Sequence, residues 1–138
     1  MTRLFLAALS LLAASSAAAA APPSVQGLWL TDDHKGLVRI APCGGALCGT
    51  IARVADTSGQ APTTDIHNPV ASLRNRAILG LPVLSGFVPA GNYWKGRAYD
   101  PKSGKSYRST LELNPDGSLK VSGCILFICQ SQRWTRAR

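Results

Sequence analysis

The chain has 138 residues, with 15 Lys and Arg against 7 Asp and Glu, for a formal charge of +8. That length admits one domain. At 46% hydrophobic and 16% charged it is neither disordered nor an integral membrane bundle, and it is too poor in Lys and Arg for a tail-like nucleic-acid binder.

The N-terminus reads as a Sec-type signal peptide over residues 1–20. Arg3 is its single charge, Leu4 to Leu12 its short apolar core, and Ala20-Ala21-Pro22-Pro23 the end of its Ala-rich cleavage region. Proline fits poorly just after a cut, so cleavage after Ala20 is favoured over Ala21. Residues 21–138 are then a single exported domain, periplasmic or secreted. The first cysteine is Cys43, far from the cut, so the leader is not of the lipoprotein type. In an oxidising compartment Cys43, Cys48, Cys124 and Cys129 are expected as disulfides. Three connectivities exist. The two local pairs are preferred because each brackets a hairpin, and each would remove about 2 kcal/mol of unfolded-chain entropy. Zinc is disfavoured: the spacing is C-x4-C twice rather than the tighter C-x2-C.

Short alternating runs follow one another, separated by turn signals. Strands are predicted at Gln26–Thr31, Leu37–Pro42 and Cys48–Val54. A polar loop covers 55–68, and Asn68-Pro69 opens a single helical turn through Arg74. A bent strand is predicted over Ile78–Phe87, with Gly80 and Pro82 marking a bulge or an edge. Strands at Tyr93–Tyr99 and Ser106–Leu113 flank Asp100-Pro101-Lys102-Ser103-Gly104, a turn with Pro early and Gly in the left-handed position. Asn114-Pro115-Asp116-Gly117 leads to Ser118–Cys124, and Gln130–Arg136 ends the chain. In Ser106–Leu113, Tyr107, Ser109, Leu111 and Leu113 share one face. Eight strands in up-and-down order close into an all-β antiparallel barrel, because closure removes exposed edges. Such an interior holds side chains or one small ligand.

Gly27-Leu28-Trp29 and Arg133-Trp134-Thr135-Arg136 resemble the calycin pattern, which implies that Trp29 packs under Arg133 or Arg136 to close one barrel end. Longer strings carry a more specific likeness. These are Val38-Arg39-Ile40-Ala41-Pro42-Cys43-Gly44, Gly80-Leu81-Pro82-Val83-Leu84-Ser85-Gly86-Phe87, Trp94-Lys95-Gly96-Arg97-Ala98-Tyr99-Asp100-Pro101 and Leu119-Lys120-Val121-Ser122-Gly123-Cys124. Together they resemble the bacterial family called domain of unknown function 2147, across essentially the whole of 21–138. The resemblance implies a small exported lipocalin-like barrel and carries over no catalytic residue.

Catalysis is not expected from the residues themselves. His34 lies in a turn and His67 in a loop. Asp65-Ile66-His67 offers an acid–base pair, but no serine stands in a G-x-S-x-G elbow. Most aspartates sit in turn signals, where they bond nearby backbone. Two other features suggest binding. By period two, Tyr93, Lys95, Arg97 and Tyr99 share one strand face. They are either a solvated outer surface or a site for an anionic group. Lys102, Lys105 and Arg108 extend that basic hairpin. The second feature is Ile125-Leu126-Phe127-Ile128, held between Cys124 and Cys129. It either plugs a barrel end or forms an apolar lip, with Leu126 and Phe127 in contact with a ligand or membrane. Among Arg39, Arg53, Arg74 and Arg76, one is placed to meet an anionic ligand or a buried Asp such as Asp65.

The sequence thus leads to a monomeric exported barrel that binds a small apolar or amphiphilic molecule, or an anionic envelope component. No cofactor, metal or nucleic acid is expected, and membrane contact is at most peripheral. A structural or protein-interaction factor with a packed interior is the alternative, and a hydrolase using the His67 loop is third.

Overall fold

The computed structural model describes residues 13–16 and 20–138. The charged and apolar parts of the predicted signal peptide, Arg3 and Leu4 to Leu12, lie outside the described residues. Among the described residues no helix is long and apolar enough to cross a membrane.

Eight strands form one closed antiparallel barrel in sequence order. They are β1 (Gly27–Leu30), β2 (Gly36–Cys43), β3 (Ala46–Val54), β4 (Pro82–Ala90), β5 (Tyr93–Asp100), β6 (Lys105–Leu113), β7 (Leu119–Ile125) and β8 (Ile128–Arg136). A 3-10 turn at Ala71–Leu73 is the single helical element among the described residues. The sheet closes where Trp29 pairs with Arg136 and Leu30 with Thr135.

The predicted strand over Ile78–Phe87 is displaced: β4 begins at Pro82 and continues to Ala90. Gly80 takes φ +84°, and its N–H donates to the Ile51 carbonyl before the chain enters the strand. Ile78–Leu81 therefore belongs to the loop, although it is as apolar as the strand. The irregularity within β4 falls between Ser85 and Val88, where Gly86 sits at φ +64°.

Up-and-down order sends connections alternately to two barrel ends. The β2–β3, β4–β5 and β6–β7 turns share one end, and that end is sealed. Val25 is fully buried there, and the Trp29 indole N–H donates to its carbonyl at 2.9 Å. The Trp94 indole N–H reaches the Pro23 carbonyl at 3.0 Å. The Arg136 guanidinium lies 4.2 Å from the centre of the Trp29 ring and donates to the Gln26 carbonyl. Arg133 instead turns to Asp116. Trp29, Ile40, Phe87, Leu111 and Leu119 form the packed core above this seal.

Phe87 reaches full burial because its neighbour on the adjacent strand β5, Gly96, has no side chain. A Cβ at Gly96 would stand 2.7 Å from the Phe87 ring and from the Ser85 carbonyl oxygen. Overpacking of this kind costs about 1–3 kcal/mol. Gly96→Ala is accordingly expected to lower unfolding free energy by about that amount in urea titration; an unchanged midpoint would refute this account of the packing.

Candidate functional site

The opposite end gathers the β1–β2, β3–β4, β5–β6 and β7–β8 connections, and it is open. A cavity of about 630 Å³ enters the barrel there. Its floor is apolar, built from Val38, Ile51, Val83, Leu84 and Trp134. Gln132 lines one wall and remains exposed although it pairs in register with the buried Val121. On β8, Trp134 alone is buried. This half of the interior is therefore not filled by side chains.

Ion pairs ring the entrance. Lys102, in the β5–β6 turn, pairs with Asp33 in the β1–β2 turn. These two hairpins are diametrically placed in strand order, so the pair spans the mouth. Lys35 and Asp56 lie 3.8 Å apart at the same rim. Burial opposes ionisation of Asp33, but the Lys102 ammonium, the Thr31 hydroxyl and the Lys35 amide outweigh it and hold its pKa at about 2.

The long β3–β4 loop is pinned over the mouth by Asp65, whose side chain is fully buried. Its carboxylate accepts from the Tyr99 hydroxyl at 2.6 Å, the Asn68 amide at 2.8 Å and Arg76 at 3.0 Å. Burial disfavours the charge, yet these three donors keep the Asp65 pKa below the usual carboxylate range. The same contact, added to burial, pushes the Tyr99 hydroxyl up to about 12. Arg76 is thus the arginine that meets the buried aspartate. His67 lines the cavity but is not among the hydrogen-bond partners of Asp65, so these residues do not form the acid–base pair considered from sequence. The β5–β6 turn packs directly on this loop. At Gly104 (φ +70°) a Cβ would fall 1.9 Å from the His67 carbonyl oxygen, so only glycine fits.

The basic hairpin divides. Tyr93, Lys95 and Arg97 face outward and line an external groove of about 520 Å³ with Arg108, Leu126 and the Cys124–Cys129 disulfide. Tyr99 has the same alternation but leaves that group, because the β3–β4 loop covers its end of β5 and engages its hydroxyl. Arg97 and Arg108 are directly opposed across β5 and β6. The groove contains no carboxylate.

The apolar run does not plug the barrel. It forms the β7–β8 hairpin tip beside the open end, with Leu126 76% and Phe127 100% exposed. Val25 and its neighbouring segment provide the plug at the other end. The Cys43–Cys48 disulfide belongs to the β2–β3 hairpin at the sealed end. The four cysteines therefore do not converge as a zinc site would require.

A family model described as an uncharacterized protein conserved in bacteria (DUF2147) matches residues 27–136. The chain belongs to this family. Among solved structures, DUF2147 residues here superpose on protein HP1028 from the human pathogen Helicobacter pylori, described as belonging to the lipocalin family. The TM-score is 0.72 and the identity 23%, over 83% of this chain and 84% of that one. At that identity the likeness establishes a shared lipocalin-like fold. No curated protein matches the chain.

Depressed carboxylate pKa values make the mouth acid-sensitive. The stability they contribute is fully present above the ordinary carboxylate value of 3.8 and is lost as pH falls, for Asp33 through about pH 2. Asp65→Asn should cost about 2–3 kcal/mol at neutral pH by weakening three charge-assisted bonds. It should also flatten the acid limb of stability followed by tryptophan fluorescence. A wild-type acid limb in the variant would count against Asp65 as the anchor.

Proposed function

We propose that this DUF2147 barrel binds a small amphiphile in its open mouth, without chemical transformation, in the periplasm or outside the cell. The observation that carries the reading is a cavity of about 630 Å³ with an apolar floor and a charged rim, above a sealed barrel end. Ligand pockets commonly span ~300–1,000 Å³ and combine apolar walls with a few placed polar groups. The apolar part of the ligand sits on Trp134, Val83 and Leu84. Its head group meets the rim, where an anionic oxygen competes with Asp33 for the Lys102 ammonium. Exchange of one carboxylate for another keeps the ammonium partnered and releases the bridge across the mouth. An oxidising compartment suits the two disulfides, and the N-terminal leader read from the sequence agrees with export. The protein acts as a monomer in this reading, since a single barrel provides floor, walls and rim.

A dansylated undecanoic acid is the probe of choice, because its tail and carboxylate match floor and rim. Saturable binding with a roughly micromolar Kd is expected from fluorescence titration. Ile51→Trp, which fills the cavity, should weaken binding at least about tenfold while the Tm stays within about 5 °C of wild type. Absence of saturable binding, or equal affinity in a folded Ile51→Trp variant, would refute the proposal.

A further inference from the structure

We propose that the β7–β8 hairpin and the cationic groove beside it form a docking site for a bilayer rich in anionic phospholipid. This site is separate from the barrel mouth and does not depend on what the mouth binds.

Ile125, Leu126, Phe127 and Ile128 are all at least half exposed. Together they make a contiguous apolar tip of a kind that soluble surfaces rarely leave uncovered without a use. The tip is also rigidly held. The Cys124–Cys129 disulfide closes its base, and the Arg108 guanidinium donates to the Leu126 carbonyl at 3.0 Å. Leu126 occupies φ +54°, a conformation costly for a branched side chain and one that glycine would adopt freely. A large apolar residue thus stands at a turn position where glycine would relieve the backbone. Strain of this type concentrates where function demands a particular side chain.

The groove adds charge to the same site. Like charges directly opposite on neighbouring strands are destabilising, yet Arg97 and Arg108 are so opposed, with Lys95 nearby. None of the three forms an ion pair among the described residues. A phosphodiester supplies the missing anion, since its oxygens accept from two guanidinium groups at once. Lys105 lies on the β6 end that flanks the tip and adds to the field. An apolar finger beside unpaired cations matches the layering of a membrane surface, with acyl chains beneath a sheet of phosphates. A protein partner would need an apolar pocket for the finger together with a carboxylate or phosphate cluster at the groove. The anionic bilayer provides both layers everywhere along its surface.

Co-sedimentation of the full exported chain with phosphatidylglycerol–phosphatidylcholine vesicles tests the site. Binding is expected to the mixed vesicles and to be much weaker to phosphatidylcholine alone. Replacing both Leu126→Ser and Phe127→Ser should lower partitioning at least about tenfold, with an unchanged thermal melt because these side chains are exposed. Arg97→Glu should lower it more than fivefold, from about fivefold per lost charge near such a surface, and Arg97→Lys should restore it. In Phe127→Trp, emission should shift to the blue on addition of mixed vesicles. Dansyl-undecanoate binding in the mouth should be the same in wild type and in the Leu126→Ser, Phe127→Ser protein, which separates the two sites. The proposal is overturned by equal binding to neutral and anionic vesicles, by unchanged partitioning of the double variant, or by no emission shift. Self-association that the double variant abolishes, without vesicle binding by the wild type, would assign the finger to a second copy of the chain and also overturn it.

Discussion

The barrel closes through two residue pairs, Trp29 with Arg136 and Leu30 with Thr135. Every other seam is longer, so this short join is where the sheet would most readily open. An open edge would expose unpaired N–H and carbonyl groups and invite association. The seam is reinforced from both sides of the chain. Arg136 lies over the Trp29 ring while bonding the Gln26 carbonyl, and Trp29 bonds the Val25 carbonyl. One arginine thereby joins the last strand to the first and to the segment that precedes it. Because β1 has only four residues, it spans just the lower part of the wall. Closure and sealing are consequently the same interaction at the same end.

That arrangement dictates where apolar mass goes. Val25, Trp29, Phe87, Leu111 and Leu119 are packed near the seal. Trp134 forms the boundary, buried below and lining the cavity above. The upper half has no comparable filling, and its order comes from polar anchors instead. A buried carboxylate with three donors is an expensive way to hold a loop, because desolvation must be offset by every bond. It has one advantage over apolar packing: it fixes the β3–β4 loop without consuming interior space. Asp65, outside the cavity lining, bonds the hydroxyl of Tyr99 at its wall, and Gly104 lets the next hairpin lie against His67. The mouth is thus shaped by contacts placed around the void, which they leave unfilled.

Much of this was legible in the residues. Alternation, bounded by Asp100-Pro101-Lys102-Ser103-Gly104 and Asn114-Pro115-Asp116-Gly117, locates β5, β6 and β7 to within a residue or so. The eight-strand count implied closure. The misplacement of β4 has a local cause: Ile78–Leu81 is as apolar as the strand after it, and nothing in its composition reveals that Gly80 adopts a positive φ to bond Ile51. The failure at Tyr99 is non-local. Its alternation matches Tyr93, and only a loop more than thirty residues away in sequence turns it inward. Periodicity was silent on the Ile125–Ile128 tip, because a two-residue turn has no face to alternate. Alternation cannot say whether four apolar residues there fold in over the open end or project from it; they project, with Phe127 fully exposed.

Two features run against the stability of the fold, and they are neighbours. Leu126 holds a left-handed backbone, and Arg97 faces Arg108 with no intervening acid. Either could be removed by one substitution, to glycine at the turn or to glutamate on the strand, without touching the core. Elsewhere the same chain mostly follows the ordinary rules: Asp116 accompanies Arg133, Asp33 accompanies Lys102, and glycine takes most of the positive-φ positions. His34 at φ +58° and the Lys120–Arg133 cross-strand pair are comparable departures elsewhere, the latter with Asp116 beside Arg133; only at this patch do the two kinds fall side by side. Here each leaves a group, apolar or cationic, without a partner among the described residues. At the mouth, by contrast, Asp33 is paired with Lys102 and Lys35 with Asp56 around a bounded void. The two regions differ in kind: one is a bounded void with ion pairs at its rim, and the other is an exposed apolar turn beside cations that lack an ion-pair partner among the described residues.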